Sequence, residues 1–325
     1  MTTSTSTELE EGVRQFHART SADYLRLSGG AYADLAERRA VAERVREPWR
    51  AGGPRMAETA TFDVGPLQTR VRLHRPVAGD AALPVLVYLH GGGWTLFSID
   101  THDRLMREFA ARSGCAVVGV DYSLSPEVRY PRALDEVAAV VGWLRTEGAA
   151  HRLDATRIAV GGDSAGANLA IGTALRLRDA GSGASTGSDA GLAALLLNYG
   201  AFDTEPRASY ARFDGDDYML GVGEMRDFWD NYLGSSDDAR NDPLARPMLA
   251  DLAGLPPTHL CIAACDILVD ENKAMAERLN EAGVPVTAVV YDGATHSFLE
   301  AVEVSPLADL ALAEASAWLA STLAR

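Results

Sequence analysis

The stretch RIAVGGDSAGANLAIGTALRLRD, residues 157–179, decides how this chain folds. It opens as a short apolar run, passes through a glycine-rich turn and continues with the apolar spacing of a helix. The turn Gly162-Asp163-Ser164-Ala165-Gly166 matches the pattern G-x-S-x-G between a strand and a helix. Such a tight turn lifts the serine hydroxyl above the carboxyl edge of a sheet, where the helix dipole favours developing negative charge. We therefore interpret Ser164 as a nucleophile; the alternative is a plain glycine-rich turn after a strand.

Strand-like and helix-like segments alternate on both sides of this turn. Apolar runs that read as buried strands occupy residues 84–90, 115–122, 157–162, 192–199, 258–265 and 286–292, and residues 69–75 alternate like an edge or half-buried strand. Helical patterns lie near residues 102–113, 132–148, 166–179, 268–282 and 307–323. Apolar strands that alternate with helices are typical of a parallel sheet covered on both faces. The predicted fold class is therefore α/β, with a mostly parallel central sheet and helices on both faces.

Two segments depart from this alternation. Residues 9–50 are charged and helical in pattern, and residues 203–247 hold no clear strand but several aromatic and acidic residues. Residues 1–8 resemble a Thr/Ser tail, and residues 181–191 resemble a Gly/Ser-rich surface loop. We predict an N-terminal tail with helices at residues 1–55 and an α/β domain at residues 56–325, which carries a helical insertion at about residues 203–247.

A second glycine-rich loop follows the strand-like run at residues 84–90. It reads His90-Gly91-Gly92-Gly93-Trp94, and consecutive glycines let backbone N–H groups approach a substrate oxygen closely. Donors aimed at a developing oxyanion contribute about 3 kcal/mol each. We predict an oxyanion hole formed by the N–H groups of Gly92, Gly93 and Ala165, with His90 shaping the loop. The alternative is a loop that binds phosphate or merely turns, which the position of the motif ahead of the serine turn disfavours.

The chain has seven histidines, each a candidate for the general base. In folds with a G-x-S-x-G serine the acid and then the histidine follow the serine along the chain, and only His259 and His296 follow Ser164. His259 lies inside an apolar strand-like run. His296 follows the run VTAVVYD in a loop that can reach the carboxyl edge of the sheet, so we predict His296 as the base.

The acid that orients this histidine should follow the preceding strand. Asp266 directly ends the run THLCIAAC, where its carboxylate can accept a hydrogen bond from the imidazole, fix the tautomer and stabilise the imidazolium. Asp270 and Glu271 compete with it, but they fall in the first turn of the next helix, where the helix dipole favours acidic residues in any case. Asp266 is therefore the predicted acid, and Asp270 is the alternative.

Composition and charge limit the classes of partner. The chain has 325 residues, 47% of them hydrophobic, and a formal net charge of −15, which disfavours binding to nucleic acid or to anionic membranes. The N-terminus lacks the pattern of a signal peptide and no apolar run reaches membrane-spanning length, so we expect a cytoplasmic protein. Three cysteines do not indicate a disulfide framework, and no set of metal ligands stands out. We predict a small-molecule substrate and no cofactor or metal, and we leave a homodimer open.

Seven motifs resemble those of the hormone-sensitive-lipase-like α/β-hydrolases, the bacterial family IV carboxylesterases. In family order they are HGGGW (90–94), DYSLSPE (121–127), YPRALDE (130–136), GDSAG (162–166), GLPPTHL (254–260), DILVDE (266–271) and HSF (296–298). The resemblance covers about residues 84–320 and implies the α/β-hydrolase fold and an esterase activity. The first aspartate of the family's D-x-L-x-D-E run is the triad acid, which supports Asp266. The resemblance also implies a helical cap built from residues 9–50 and 203–247.

The chain departs from the family pattern at three positions. The family usually reads D-Y-R-L-A-P-E where this chain has Ser123 and Ser125, and a glycine is common where it has Ser297. None of the three carries a reacting group. They therefore bear on the pocket wall and on substrate specificity more than on activity.

The residues and the resemblance together predict a carboxylesterase that cleaves esters of small acyl substrates by two-step acyl transfer through an acyl-enzyme. Trp94, beside the glycine loop, is predicted to bind substrate and to limit the acyl pocket to short chains, and Tyr218 in the insertion is predicted to bind substrate as well. One alternative is an amide deacylase (an N- or O-deacetylase) of a biosynthetic pathway, in which Asp214, Asp216 and Asp217 could meet a cationic substrate. The other is a non-catalytic small-molecule receptor on the same fold.

Overall fold

A computed structural model of the chain describes residues 8–181 and 191–324. Within these residues the chain forms eight strands and ten α-helices. The strands are β1 (Glu58–Val64), β2 (Thr69–Arg75), β3 (Leu83–Leu89), β4 (Ala116–Val120), β5 (Leu153–Asp163), β6 (Ala194–Asn198), β7 (Thr258–Cys265) and β8 (Val286–Thr295). The helices are α1 (Glu11–Ser28), α2 (Leu35–Arg50), α3 (Asp103–Ser113), α4 (Arg132–Glu147), α5 (Ala165–Gly181), α6 (Ala208–Phe213), α7 (Val222–Leu233), α8 (Asp237–Asn241), α9 (Val269–Glu281) and α10 (Pro306–Leu323). The predicted tail and the predicted Gly/Ser-rich loop lie, apart from their end residues, outside the described residues.

The eight strands form one sheet in the order β1-β2-β4-β3-β5-β6-β7-β8. Strands β3 to β8 pair with one another in parallel, and β2 runs antiparallel to both of its neighbours, β1 and β4. Helices separate the parallel strands along the chain, as such crossovers require. The predicted α/β class, with a mostly parallel sheet, is confirmed.

The edge strand β1 is absent from the predicted strands, and the run at residues 69–75 is the second strand rather than the edge. β1 forms an antiparallel pair with β2 that runs from Glu58 opposite Arg75 to Val64 opposite Thr69. Along β1 partly buried and exposed residues alternate, and only Val64 is fully buried. An edge strand that faces solvent on one side carries this weak alternation, because it lacks the continuous apolar run of a central strand.

Two apolar layers hold the helices against the sheet. Because side chains alternate along a strand, Val85, Val87 and Leu89 of β3 belong to one buried cluster, whereas Leu86 and Tyr88 belong to the other. Residues of α4, α5 and α9 complete the first cluster, and residues of α3 and α10 complete the second. Helices therefore cover both faces, which leaves the ends of the strands as the place where loops can build a site.

Strand register decides which loops meet at the carboxyl edge. β3 and β5 pair Leu89 with Gly162, so the glycine loop that follows β3 lies beside the serine turn that follows β5. β7 and β8 pair Cys265 with Thr295, so the residues that follow these two, an aspartate and a histidine, lie side by side. The sheet thus brings four distant segments of the sequence to one point.

The N-terminal helices pack against each other above this edge. The rings of Phe16 on α1 and Trp49 on α2 meet edge to face with centroids 4.6 Å apart. The Asp34 side chain caps α2 by accepting a hydrogen bond from the N–H of Glu37 at 2.8 Å. Residues of α1, α2 and α7 line one pocket together with Ser164. The N-terminal helices and the inserted segment therefore share a position over the serine turn.

None of the helices in the described part of the chain combines the length and the apolar character that crossing a membrane demands. The location in the cell and the oligomeric state stay predictions from the sequence.

Candidate active site

Ser164 lies in the turn between β5 and α5 with a backbone φ of 55°, in the left-handed region that a serine rarely adopts. Glycine is required on both sides of it. A Cβ atom on Gly162 would lie 2.2 Å from the carbonyl oxygen of Leu89, and a Cβ atom on Gly166 would lie 1.9 Å from the same oxygen. The N–H of Ser164 donates to the carbonyl oxygen of Asn198 at 2.9 Å, which ties the turn to the end of β6. The strained backbone and these contacts hold the hydroxyl at the carboxyl edge.

Three predicted site residues form one line of hydrogen bonds. His296 Nε2 lies 2.8 Å from Ser164 Oγ, and His296 Nδ1 lies 2.7 Å from Asp266 Oδ2. The other carboxylate oxygen of Asp266 accepts the N–H of Leu268 at 3.0 Å. All three side chains are buried, with relative exposures of 7% for Ser164, 6% for His296 and 2% for Asp266. A histidine held in this way presents the lone pair of Nε2 to the serine hydroxyl.

The electrostatics of His296 follow from its neighbours. Burial lowers the pKa of a histidine, but the negative charge of Asp266 and its hydrogen bond act in the opposite direction and dominate. The carboxylates of Asp163 and Glu224 add to the rise. The pKa of His296 therefore lies above its ordinary value, so the imidazole is a stronger base than a free histidine.

The glycine loop presents unused backbone donors to the same point. The N–H groups of Gly92 and Gly93 make no hydrogen bond within the described residues. Ala165 is the first residue of α5, so its N–H has no acceptor inside the helix. Gly93 has a φ of 59°, and a Cβ atom there would lie 2.1 Å from the Phe228 ring. These three N–H groups are those predicted for the oxyanion hole.

A buried ion pair beneath the loop was not predicted from the sequence. Asp163 accepts a hydrogen bond from the Tyr88 hydroxyl at 2.7 Å and lies 3.2 Å from His102 Nε2. A Cβ atom on Gly91 would lie 2.3 Å from the same carboxylate, so Asp163 packs directly under the glycine loop. The sequence places Asp163 inside the G-x-S-x-G turn, but it gives no sign that this aspartate pairs with His102, which lies 61 residues earlier.

Three histidines are excluded as the base by their positions. Burial lowers the pKa of His90 to about 3, and its Nδ1 lies 2.7 Å from the carbonyl oxygen of Gly91, which fits its predicted role in shaping the loop. His259 lies within β7, where burial lowers its pKa to about 4. His102 is bound to Asp163. Of the histidines near the carboxyl edge, His296 is the one that contacts Ser164.

A cavity of about 450 Å³ opens beside Ser164 and His296. Its apolar lining includes Phe97 from the glycine loop region and Phe228 from α7. Gly92 and Gly93 also line it, so the unused N–H groups border the same space. An acyl group bound there would lie within the reach of the nucleophile and the oxyanion donors.

Trp94 does not line this cavity, which corrects its predicted role in binding substrate. Its side chain is fully buried, and its ring lies flat on that of Tyr232 with centroids 4.3 Å apart. Trp229 packs against it at 4.5 Å. The backbone of Trp94 has a positive φ of 56°. The Trp94 side chain therefore packs within the protein and not on the cavity wall.

Tyr218 is also placed outside the cavity, against the prediction that it binds substrate. It is half-buried in a separate surface groove, where α1 supplies Arg14 and His17. Its ring meets Phe213 edge to face at 5.2 Å. Packing of the inserted segment on α1 directs this side chain away from Ser164.

Several pocket residues come from segments in which the sequence carries no motif. Arg38 and Arg46 on α2, Tyr24 on α1 and Glu224 on α7 all line the cavity. Arg38 Nη2 donates to Glu224 Oε1 at 2.6 Å, which links the N-terminal helices to the insertion. Such polar residues become recognisable as pocket residues only when tertiary packing brings the helices together.

Metal ligands are not clustered in the described ranges, where no group of three or more His, Cys, Asp or Glu side chains could hold an ion. The three cysteines are buried, and no disulfide bond joins them.

Comparison with known proteins supports the fold and the family. Residues 86–300 match a family model described as the alpha/beta hydrolase fold. An ester hydrolase from the metagenome of Lake Arreo, solved in complex with a derivative of bipyridine phosphonate, is 34% identical, with 98% of this chain and 100% of that chain covered and a TM-score of 0.87. A hyperthermophilic esterase from the archaeon Pyrobaculum calidifontis is 31% identical, with 97% and 98% covered and a TM-score of 0.86. A thermostable carboxylesterase cloned from a metagenomic library is 32% identical, with 90% and 98% covered and a TM-score of 0.84.

Proposed function

This chain belongs to the hormone-sensitive-lipase-like α/β-hydrolases, which are carboxylesterase-type serine hydrolases, and on that premise we propose that it cleaves esters of small acyl groups through Ser164, His296 and Asp266. The observation that carries the proposal is the line of hydrogen bonds from Asp266 through His296 to Ser164, at 2.7 and 2.8 Å. This line ends in a cavity that the unused N–H groups of the glycine loop also border.

The mechanism follows from which atoms face one another. His296 Nε2 accepts the proton of Ser164 Oγ as the oxygen attacks the ester carbonyl carbon. The carbonyl oxygen becomes an oxyanion, which the N–H groups of Gly92, Gly93 and Ala165 stabilise by about 3 kcal/mol each. His296 returns the proton to the departing alcohol and leaves an acyl-enzyme. Water then attacks the acyl-enzyme by the same route, with His296 again as the base, and the free acid is released.

Asp266 acts on the histidine and not on the substrate. Its carboxylate accepts the hydrogen bond from Nδ1–H, so the lone pair of the imidazole is fixed on Nε2. The same charge stabilises the imidazolium that forms after proton transfer. Burial of both side chains strengthens this interaction, because the local dielectric is low.

The helices above the edge form the proposed cap of the active site. Helices α1 and α2 belong to the predicted N-terminal segment, and α6 to α8 belong to the predicted insertion. Residues of α1, α2 and α7 line the cavity, so a substrate must contact them to reach Ser164. The limited volume and the aromatic side chains of Phe97 and Phe228 support a preference for small acyl groups.

The direct test is turnover of short p-nitrophenyl esters together with labelling by a fluorophosphonate. We expect a burst of nitrophenol followed by steady turnover, and covalent modification of Ser164 located by peptide mass spectrometry. Labelling of any other residue would contradict the assignment of the nucleophile. Absence of both turnover and labelling would overturn the proposed function as a whole.

The activity is expected to rise with pH along a single acidic limb. His296 must be neutral to accept the serine proton. Burial lowers its pKa, but Asp266 together with Asp163 and Glu224 raises it by more, so the pKa lies above the ordinary value. The protonated, inactive form therefore persists above the ordinary histidine pKa of about 6.5. We predict that kcat/KM for p-nitrophenyl acetate has its acidic midpoint above that value. A midpoint well below it, measured at constant ionic strength, would argue against His296 as the base.

A further inference from the structure

One part of the cavity wall is built from guanidinium and phenol groups of the first two helices. Arg46 and Arg38 come from α2, and Tyr24 comes from α1. We propose that these three side chains form a subsite for a hydrogen-bond-accepting group, a carbonyl or a carboxylate, carried by the non-reacting part of the ester. The inference rests on the proposed function, because the subsite shares its cavity with Ser164 and His296.

Arg46 is the centre of the proposed subsite because it lines the cavity and its terminal nitrogens make no hydrogen bond among the described residues. The residue is only 2% exposed, and its Nε and Nη1 have no hydrogen-bond partner among the described residues. Its charge partner is Glu300, whose Oε2 lies 3.0 Å from Nε, but both Glu300 oxygens also lack a hydrogen bond. Most buried donors in native proteins have partners. Because Nε faces Glu300, a ligand in the cavity would bond to the terminal nitrogens of this guanidinium.

Two aromatic rings contact the guanidinium of Arg46. Phe16 of α1 packs on it with the guanidinium carbon 5.2 Å from the ring centroid, and Phe97 beside the glycine loop packs at 5.0 Å. These cation–π contacts fix the guanidinium without using its N–H groups. The N–H groups of Arg46 therefore remain available to a ligand, and the ring contacts lower the cost of ordering the side chain on binding.

Two further donors belong to the same wall. Arg38 uses Nη2 for its bond to Glu224 Oε1, whereas its other two nitrogens make no hydrogen bond within the described ranges. Burial raises the pKa of Tyr24 to about 12, so its hydroxyl stays protonated at neutral pH and can donate. Tyr24 lines the same cavity as the two arginines. Three donor groups thus line the cavity.

The charges of the two arginines are compensated. Glu224 binds Arg38 and Glu300 lies against Arg46, so the wall offers hydrogen-bond donors rather than a net positive charge. Carbonyl and carboxylate oxygens satisfy such donors, and a carboxylate can bind a guanidinium with both oxygens. A purely alkyl group would displace water from these donors and leave them unbonded, which costs affinity. The subsite therefore selects for acceptor oxygens and against alkyl chains.

The test uses esters of equal size that differ only in this group. The acyl series is p-nitrophenyl pentanoate, p-nitrophenyl 4-oxopentanoate and the p-nitrophenyl monoester of succinate. The alcohol series is butyl acetate, 4-acetoxy-2-butanone and 3-acetoxypropanoate. In at least one series we expect kcat/KM for an acceptor-bearing ester to exceed that of the alkyl ester by at least about tenfold, after correction for the uncatalysed rates. The ratio of ketone to carboxylate then identifies the acceptor.

Variants assign the preference to Arg46. Arg46→Met keeps most of the side-chain volume and removes the donors, so the preference should fall to about unity while pentanoate or butyl acetate is still turned over. Arg46→Met with Glu300→Gln repeats the measurement without an unpaired buried carboxylate, in case the single variant is unstable. Arg44→Met is the matched control, because Arg44 lies on the same helix with an exposed side chain outside the cavity. It should leave the preference unchanged.

The outcomes distinguish a failure of the proposed subsite from a failure of the proposed esterase activity. If the wild type hydrolyses the alkyl esters as well as or better than both acceptor-bearing esters in both series, the subsite is wrong and the esterase proposal stands. A preference that survives in both Arg46 variants also overturns the role of Arg46. If no ester is hydrolysed and a fluorophosphonate does not label Ser164, the proposed function itself fails.

Discussion

We expect Ser164→Ala to lower kcat for p-nitrophenyl acetate by about 10⁴- to 10⁶-fold, to the rate that the oxyanion donors alone can support. The reason is that Ser164 Oγ is the one hydroxyl within hydrogen-bond distance of His296 Nε2, at 2.8 Å, among the described residues. Without it the acyl-enzyme cannot form, and His296 has no proton to accept. Labelling by a fluorophosphonate should disappear together with turnover.

The fold should survive this change, which makes the loss interpretable. Alanine can replace serine at a φ of 55° with no added Cβ strain, and the backbone bond from residue 164 to Asn198 is retained. The thermal midpoint should therefore stay within a few degrees of the wild type, as measured by circular dichroism. Ser235→Ala is the matched control, because Ser235 is exposed in the loop after α7 and away from the cavity. Turnover by Ser164→Ala at a rate near that of the control would refute the nucleophile.

The arrangement of Ser164, Asp266 and His296 could be predicted from the sequence because local sterics and strand order constrain it. The turn around Ser164 needs glycine at residues 162 and 166. A Cβ atom added at either residue would lie 2.2 Å or less from the carbonyl oxygen of Leu89. Parallel strands place their following loops at one edge, so the chain order of serine, acid and histidine carries spatial information. The pairing of Cys265 with Thr295 then fixes the two partners side by side.

The residues that line the pocket could not be predicted from the sequence in the same way. Trp94 is adjacent in sequence to the glycines of the proposed oxyanion hole, yet its side chain is fully buried and stacks on Tyr232. Conversely, Arg46 lies 118 residues before Ser164 in the sequence and lines the same cavity. Neighbourhood along the chain decides backbone geometry, whereas side-chain direction and helix docking decide which residues a substrate meets.

The acids after β7 illustrate how packing resolves an ambiguity in the sequence. Asp270 was the alternative to Asp266, and both follow the same strand. Asp270 instead accepts hydrogen bonds from the N–H of Ser209 at 2.8 Å and from Arg212 Nη2 at 2.7 Å, both on α6. Glu271 accepts the N–H of Asp203 at 2.8 Å. These two acids connect the start of α9 to the inserted segment by hydrogen bonds, in addition to any favourable interaction with the helix dipole.

Asp266→Asn should therefore lower kcat by about 10⁴-fold with little change in structure. An asparagine amide that donates to His296 Nδ1 favours the tautomer with a proton on Nε2, and this nitrogen then cannot accept the proton of Ser164. Loss of the negative charge should also lower the pKa of His296, because Asp266 is the largest contribution that raises it. The residual activity should show an acidic limb at lower pH than the wild type in stopped-time ester assays.

Asp270→Asn provides the comparison that decides between the two acids. Its bonds to α6 are structural, so the variant should keep kcat within about threefold and lose about 1 kcal/mol of stability against urea, the cost of a weakened hydrogen bond. The two substitutions remove the same charge four residues apart, and only one of them touches the histidine. Equal losses of activity would therefore mean that charge near the site, and not the bond from Asp266 to His296, supports the reaction.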